Sequence, residues 1–361
     1  AIKIAGQNQD HELQKSLITE LLQLSIPADD EILLKTCDFW RTTLESGLEN
    51  RSLFNKCTQL RKAGHLQEAW ELAEELTSQH PDQRQAWNER GWILFNFLKQ
   101  ELEQEKPNKE RIVELFRQYQ QQQQQEMPGL LHSSMLNLAV RAARLDLFDE
   151  YCVFFQWWDP LNHYREDDWV PFIPSEIESP VFSQVKLQCL AEKAASALNK
   201  SLPGVDDQEL LKWALSVLEA LLAKVPDHDW APLWNSRVLI ALDQKESARN
   251  LLTPLARRKS SESWVWKGLA ATYAVEDELH RSLLAKACLC GRNLQEVFSL
   301  SIYQSLAEAL ILRDQKPEAL FFLEKIQTVR NEKQYSTASV DEQMADSLFA
   351  NISAATAEEV D

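Results

Sequence analysis

The sequence predicts an all-α fold, and three observations carry that prediction. Glycine is scarce, with 8 in 361 residues, whereas strands joined by tight turns would draw on it heavily. Apolar residues recur with the 3.6-residue period of a helix almost from end to end. Nothing alternates with period two for long enough to build a sheet.

Taken in order, Leu13, Leu17, Ile18, Leu21, Leu22 and Leu24 fall on one face of a first helix. Asp29 or Asp30 supplies an N-cap for a second, which carries Ile32, Leu33, Cys37, Trp40 and Leu44. From Ser52 the chain reads helix, turn, helix, turn, helix. Gly64 ends the first of these in a left-handed conformation, Ala69 and Ala73 let the next approach closely, and Pro81 closes it. Trp87, Gly91 and Leu94 then open the third. Lys106-Pro107 interrupts a helical region, Gln120 to Gln125 is a polyglutamine run, and Met127-Pro128-Gly129 restarts the chain. A helix pair over 133–145 and 147–157 follows. Downstream, Ala214, Leu218 and Pro226 repeat the spacing of Ala69, Ala73 and Pro81, and Trp234 follows as Trp87 does. Trp264, Gly268 and Ala271 repeat the first-helix half, and Ala307, Leu310, Ala319, Leu323 and Ile326 form a last unit. Met344, Leu348 and Ile352 place a capping helix, with disorder expected beyond Ser353.

These residues resemble the tetratricopeptide repeat, whose period is about 34 residues and whose signature is W-x2-L-G-x2-Y, A-x3-F, P. Ala69, Ala73 and Pro81 carry the second-helix half, and Trp87, Gly91 and Leu94 the next first-helix half, with Arg90 in place of leucine and Leu94 in place of tyrosine. The resemblance spans residues near 50–100 and 207–328. It implies an α-α superhelix, a solenoid of helical hairpins, whose first helices line a groove for a peptide or a partner helix. Five regions are expected: an N-terminal helical cap over 1–50, hairpins over 51–158, an aromatic and acidic insertion over 159–180, a second array over 181–330, and a capping helix with an acidic tail over 331–361. Groove side chains are expected one and five residues after the signature tryptophan: Asn88 and Trp92, Asn235 and Leu239, Val265 and Leu269. Gln85, Asn88, Trp92 and Asn235 are the expected contacts. Members of the family that clamp a C-terminal carboxylate do so with lysines, an arginine and asparagines. The corresponding places here hold Phe54 and Thr58, or Asn88 and Trp92, so chaperone-tail binding is not implied.

The stretch FFQWWDPLNHYREDDWVPF, Phe154 to Phe172, is the conspicuous departure from the period. Asp159-Pro160 and Val170-Pro171 break any helix through it. It reads either as a packing wedge, since tryptophan and phenylalanine bury the most area per residue, or as a ligand or partner contact through Trp158, His163 and Trp169. Acid–base chemistry is not favoured: Glu166, Asp167 and Asp168 are consecutive and diverge rather than converge.

Lys plus Arg is 38 against 55 Asp plus Glu, a formal net charge of −17. That balance disfavours direct nucleic-acid binding and favours a basic partner; the short run Leu255 to Ser260 reads as a complement to a helix C-terminus. The six cysteines are scattered and sit in apolar patterns, as reduced, buried thiols of a cytoplasmic protein do. No apolar run approaches a membrane span or a signal-peptide core. There is no phosphate loop, nucleophile elbow, zinc motif or calcium loop. We therefore expect no metal, no cofactor and no enzymatic activity. The expected function is an adaptor or scaffold that binds a protein or peptide partner. A second reading is a regulatory or assembly module working beside an effector. On this reading the degenerate repeats joined to Trp158 to Pro174 resemble helical modules of bacterial conflict systems.

Overall fold

A computed structural model describes residues 11–23, 31–46, 48–123, 126–171, 188–291, 296–350 and 352–360. Among these residues there are helices and no strands, and they fall into two compact units, Ala1–Ser201 and Leu202–Asp361. The expected cap at Asp29 or Asp30 lies outside the described residues, as do residues 172–187, which hold the end of the aromatic stretch and most of the second half of the expected insertion.

The first unit contains α1 (His11–Leu22), α2 (Glu31–Ser46), α3 (Leu48–Ala63), α4 (Leu66–Gln79), α5 (Arg84–Leu102), α6 (Lys109–Gln120), α7 (Leu130–Arg144), α8 (Tyr151–Trp158) and α9 (Leu190–Ser201). Each packs on its neighbour in sequence from α1 to α6, α7 packs on α8 and α9, and the first helices α3, α5 and α7 also meet one another in turn. The second unit contains α10 (Gln208–Lys224), α11 (Ala231–Ala241), α12 (Lys245–Arg258), α13 (Ser263–Ala270), α14 (Glu278–Gly291), α15 (Leu300–Leu312), α16 (Lys316–Glu332), α17 (Ala338–Met344) and α18 (Ala357–Val360). Successive helices again pack in pairs, with α11 also against α13.

One kind of turn sets the register of the hairpins. Gly64 (φ 86°), Asp146 (58°), Asp243 (58°) and Asp314 (60°) adopt the left-handed conformation just after α3, α7, α11 and α15. In each case the following N–H reaches back to a helical carbonyl: His65 to Leu60 (2.9 Å), Leu147 to Ala142 (3.0 Å), Gln244 to Leu239 (2.7 Å) and Gln315 to Leu310 (3.0 Å). This 6→1 bond closes the helix end. Glycine meets the left-handed requirement without a Cβ, and aspartate is among the few other residues that adopt it readily. Five residues beyond the turn stand Ala69, Tyr151, Ala248 and Ala319; nine beyond stand Ala73, Phe155, Leu252 and Leu323; all eight have no exposed surface. The turn thus aims the same two positions of these four second helices, α4, α8, α12 and α16, at their partners. These hairpins are tetratricopeptide-like.

First helices show a matching pattern. A Cβ on Gly91 would lie 2.5 Å from Leu131 Cδ2, so α5 and α7 approach at that glycine. The equivalent positions hold Ser236, Ala270 and Ala307, all fully buried. The Trp87 indole donates to the Pro81 carbonyl at 2.7 Å, and the Trp266 indole donates to the Ser260 carbonyl, also six residues back, at 2.8 Å. Trp266, not Trp264, is therefore the equivalent of Trp87. By the same spacing from Pro226, the position in α11 is Pro232, not Trp234. The expected register of the downstream repeats is corrected by two residues in each case, because a tryptophan stands two residues from the true position.

The C-terminal part also departs from expectation. The helix over Met344, Leu348 and Ile352 stops at Met344, and Met344, Ile352, Ala354 and Val360 pack on the core formed by α14, α15 and α16. Ala355 N–H donates to the Pro317 carbonyl at 2.9 Å, so the segment beyond Ser353 is tied down by backbone pairing and apolar contact.

Candidate functional site

The aromatic stretch is built inward. Trp158 has no exposed surface, its indole N–H donates to the His132 carbonyl at 3.0 Å, and its ring stacks on the His132 imidazole at 4.7 Å and 7°. The other face of the arrangement is closed by Tyr119, whose hydroxyl meets His132 Nδ1 at 3.2 Å, while His132 Nε2 lies 3.2 Å from the Trp158 carbonyl. Burial pushes the His132 pKa down from 6.5 to about 4, against the raising effect of the Trp158 carbonyl, with the charge of His163 adding a further lowering. His163 Nδ1 lies 2.8 Å from the same carbonyl.

The acids that follow do different things. Asp168 is buried and accepts from Ser133 Oγ at 2.7 Å and from the Arg165 N–H at 2.9 Å. It pins the 3-10 turn Glu166–Trp169 to α7. Asp167 pairs with Arg165, and Glu166 is exposed. Trp169 is half-buried against Tyr164, ring centroids 5.1 Å apart, and Tyr164 packs on Trp158 at 4.9 Å. Of the expected contacts in this stretch, Trp158 is thus inside the fold and offers no surface, while His163 and Trp169 keep part of theirs.

The groove side of the first unit is a different surface. Between α5 and α7 lies an open pocket of about 300 Å³ lined by Phe95, Lys99, Ser134, Asn137, Leu138 and Arg141. Trp92 stands one turn before Phe95 on α5, with ring centroids 5.4 Å apart in an edge-to-face contact, and is half-buried. Asn88, one turn earlier again, is half-buried, and Gln85 is exposed. Gln85, Asn88, Trp92 and Phe95 recur at three- and four-residue intervals, so one face of α5 carries them together. Arg141 is held at the pocket rim by the Leu102 carbonyl at 3.2 Å; Lys99 makes no ion pair among the described residues. The expected contacts Gln85, Asn88 and Trp92 lie together on α5; the α7 side of the pocket was not among them, because Ser134, Asn137 and Arg141 match no signature.

Arg90, which replaces the signature leucine, lies over the rings of Trp70 (4.5 Å) and Trp87 (5.7 Å). Burial lowers its pKa and the Glu74 charge opposes that. A cation on aromatic faces fills the place of an apolar side chain.

In the second unit the register correction moves the groove positions. Asn235 is 1 % exposed and donates to the Ala231 carbonyl at 3.2 Å; Leu239, Val265 and Leu269 are likewise buried. The expected contact at Asn235 is therefore corrected: in this register it faces the interior. The positions one and five residues after the signature place are Leu233 and Arg237 on α11, and Lys267 and Ala271 on α13 or at its end.

Among the described residues no group of three or more His, Cys, Asp or Glu side chains could hold a metal ion, and no helix is long and apolar enough to cross a membrane. The buried thiol of Cys57 donates to the Ala69 carbonyl at 3.4 Å, and burial, more than the nearby Glu89 charge, pushes its pKa up to about 11. It is kept as a thiol rather than a thiolate nucleophile.

A family model described as a domain of unknown function, DUF7017, matches residues 229–359, less than half of the chain. A comparison with curated proteins finds no match. Among solved structures the chain is similar to a thermophilic TPR protein of Thermus thermophilus, at 16% identity over 73% of this chain and 99% of that one, with a TM-score of 0.28. It is similar to a tetratricopeptide repeat protein of Parabacteroides merdae, at 13% identity over 84% and 100%, with a TM-score of 0.34. It is also similar to the TPR2AB domain of yeast Sti1 in its pHSP90 complex, at 13% identity over 81% and 96%, with a TM-score of 0.28. No residue is carried across at these scores; the repeat assignment rests on the register of the hairpins themselves.

Proposed function

We propose that the chain is a non-enzymatic protein-binding adaptor whose first unit seats a peptide or a partner helix against α5 and α7. The observation that carries this reading is the open pocket at Phe95 and Leu138, continued along α5 by the half-buried Trp92 and Asn88. Two apolar side chains, Phe95 and Leu138, set among the polar Lys99, Ser134, Asn137 and Arg141 suit a side chain that enters while its backbone stays near the amides. The net charge of −17 draws basic proteins from a distance. At the pocket itself Lys99 and Arg141 select an acidic or amide-bearing residue.

The test is affinity capture on the purified full chain, with Trp92→Ala and Phe95→Ala as paired baits and mass spectrometry of what is retained. A specific partner should lose at least tenfold in affinity, about 1.4 kcal/mol, on Trp92→Ala, while the melting temperature moves little. Equal retention by wild type and both variants would remove α5 as the contact surface. The name of the retained protein also separates a free-standing adaptor from a module that works beside an effector.

A further inference from the structure

A second pocket of the first unit lies on another side of α5. It is open, holds about 290 Å³, and is lined by the C-terminal half of α4, the Pro81 turn and the start of α5, together with Gln123. Successive helical residues stand about 100° apart, so Trp87 and Arg90, which line it, are turned roughly 140° around α5 from the stripe of Asn88, Trp92 and Phe95. Its walls are fixed before a ligand arrives. The Trp87 indole is anchored on the Pro81 carbonyl at 2.7 Å. The Arg90 guanidinium lies over the rings of Trp70 and Trp87, at 4.5 and 5.7 Å, and such stacking holds a planar cation in place. The Thr77 hydroxyl is used internally, on the Ala73 carbonyl at 2.9 Å.

The two charges of this pocket, Arg90 and Glu74, are left for something other than each other. Among the described residues neither side chain makes an ion pair or a hydrogen bond. The guanidinium brings donors and no acceptor, and the carboxylate brings acceptors and no donor. A full anion that approaches Arg90 meets the charge of Glu74, and a full cation that approaches Glu74 meets the charge of Arg90. A carboxamide avoids both penalties. It carries a carbonyl oxygen for the one group and an NH2 for the other, with no net charge. The half-buried ring of Trp87 offers the methylene stem of such a side chain an apolar wall.

We propose that this pocket is a second recognition site, which takes the side chain of a glutamine or asparagine from an extended segment of a protein partner. The carboxamide oxygen accepts from Arg90, its NH2 donates to Glu74, and its stem lies on Trp87. This gives a role to the arginine that stands where the repeat signature has leucine. The site rests on the adaptor reading for its class of ligand, but it uses none of the residues at the α5–α7 pocket. A purely structural Arg90 makes the opposite prediction: leucine at that place would restore the signature and leave peptide binding as it was.

The experiment is selection of a phage-displayed library of random dodecapeptides on the immobilised full chain, followed by fluorescence anisotropy of fluorescein-labelled winners. Binding is measured to wild type, Arg90→Leu, Glu74→Gln and Trp92→Ala, and circular dichroism melting checks that each variant folds. Each winner is also made with its glutamine or asparagine changed to the matching acid. A class of enriched peptides should share a carboxamide residue, bind at least tenfold more weakly to Arg90→Leu, and bind normally to Trp92→Ala. On wild type the acid analogue should bind at least tenfold more weakly than its parent. On Glu74→Gln that preference should shrink or reverse, because the carboxylate then meets Arg90 with no opposing charge. Glu74 is exposed, so this comparison decides the matter even if Arg90→Leu fails to fold. The proposal is overturned by winners that lack glutamine and asparagine, by equal binding to a folded Arg90→Leu chain, by acid analogues that match their parents on wild type, or by the absence of any enrichment. Winners lost on Trp92→Ala but kept by Arg90→Leu would remove this site and leave the adaptor reading standing.

Discussion

Two hairpins of the first unit share a turn and differ in what fills them. The α3–α4 hairpin turns at Gly64 and places Ala69 and Ala73 at the two positions buried against its partner; the α7–α8 hairpin turns at Asp146 and places Tyr151 and Phe155 there. In the first, small residues let the helices approach. In the second, the rings stack on each other at 5.5 Å and 20°, and the layer extends through Trp158, His132 and Tyr119. The comparison teaches that the density of aromatics from Tyr151 to Trp169 answers a wider gap with larger side chains. Trp92, on α5, is half-buried and keeps part of its ring surface, as Trp169 does.

The strongest way to break the comparison is to empty the wide hairpin. Trp158→Ala removes a fully buried indole, its stack on His132 and its bond to the His132 carbonyl, and should cost about 3–5 kcal/mol. Urea denaturation followed by circular dichroism reads this directly. A Trp158→Ala chain of wild-type stability that had lost a bound partner would mean the stretch is a contact surface after all.

Acid sharpens the contrast next. His132 titrates near 6.5 when unfolded and near 4 when folded, so it is buried neutral. Between those values the unfolded chain binds the extra proton. The stability it contributes is therefore present above about pH 6.5 and is lost as the pH falls through 6.5 towards 4. The full difference is on the order of 3 kcal/mol. In the α3–α4 hairpin the histidine, His65, stands beside the turn rather than in the first helix, and it is exposed. Replacing His132 with Phe should flatten the fall in melting temperature between pH 6.5 and 4, and an unchanged slope would show that other groups produce it.

The same contrast explains what could be read in advance. Helical period and the Ala69, Ala73, Pro81 spacing were legible because a close helix crossing demands small residues and a helix end excludes proline from its interior. The turns at Asp146, Asp243 and Asp314 were not, since aspartate on a helix flank reads equally well as a solvated or capping residue. Tryptophan was ambiguous for a related reason. Trp264 and Trp266 differ by two positions, and only the bond from Trp266 to the Ser260 carbonyl decides which one holds the signature place. That ambiguity sent the expected groove contact to Asn235, which is inside the fold. The Asp168–Ser133 bond joins residues 35 apart, and nothing local announces it.

The smallest effect tests whether the left-handed turn truly sets the register. Gly64 has φ 86°, and a Cβ at that position would meet nothing within 4 Å, so Gly64→Ala adds no clash, and its whole cost is conformational, about 1 kcal/mol. Asp243→Gly makes the opposite change at φ 58°: it relieves the folded turn but adds freedom to the unfolded chain, and the two nearly cancel. Gly64→Ala should lower the melting temperature by about 2–4 °C, while Asp243→Gly should leave it within about one degree. If Gly64→Ala instead melts with the wild type, the turn at that position tolerates a right-handed alternative. The burial of Ala69 and Ala73 against α3 and α5, rather than the turn, would then hold the hairpin in register.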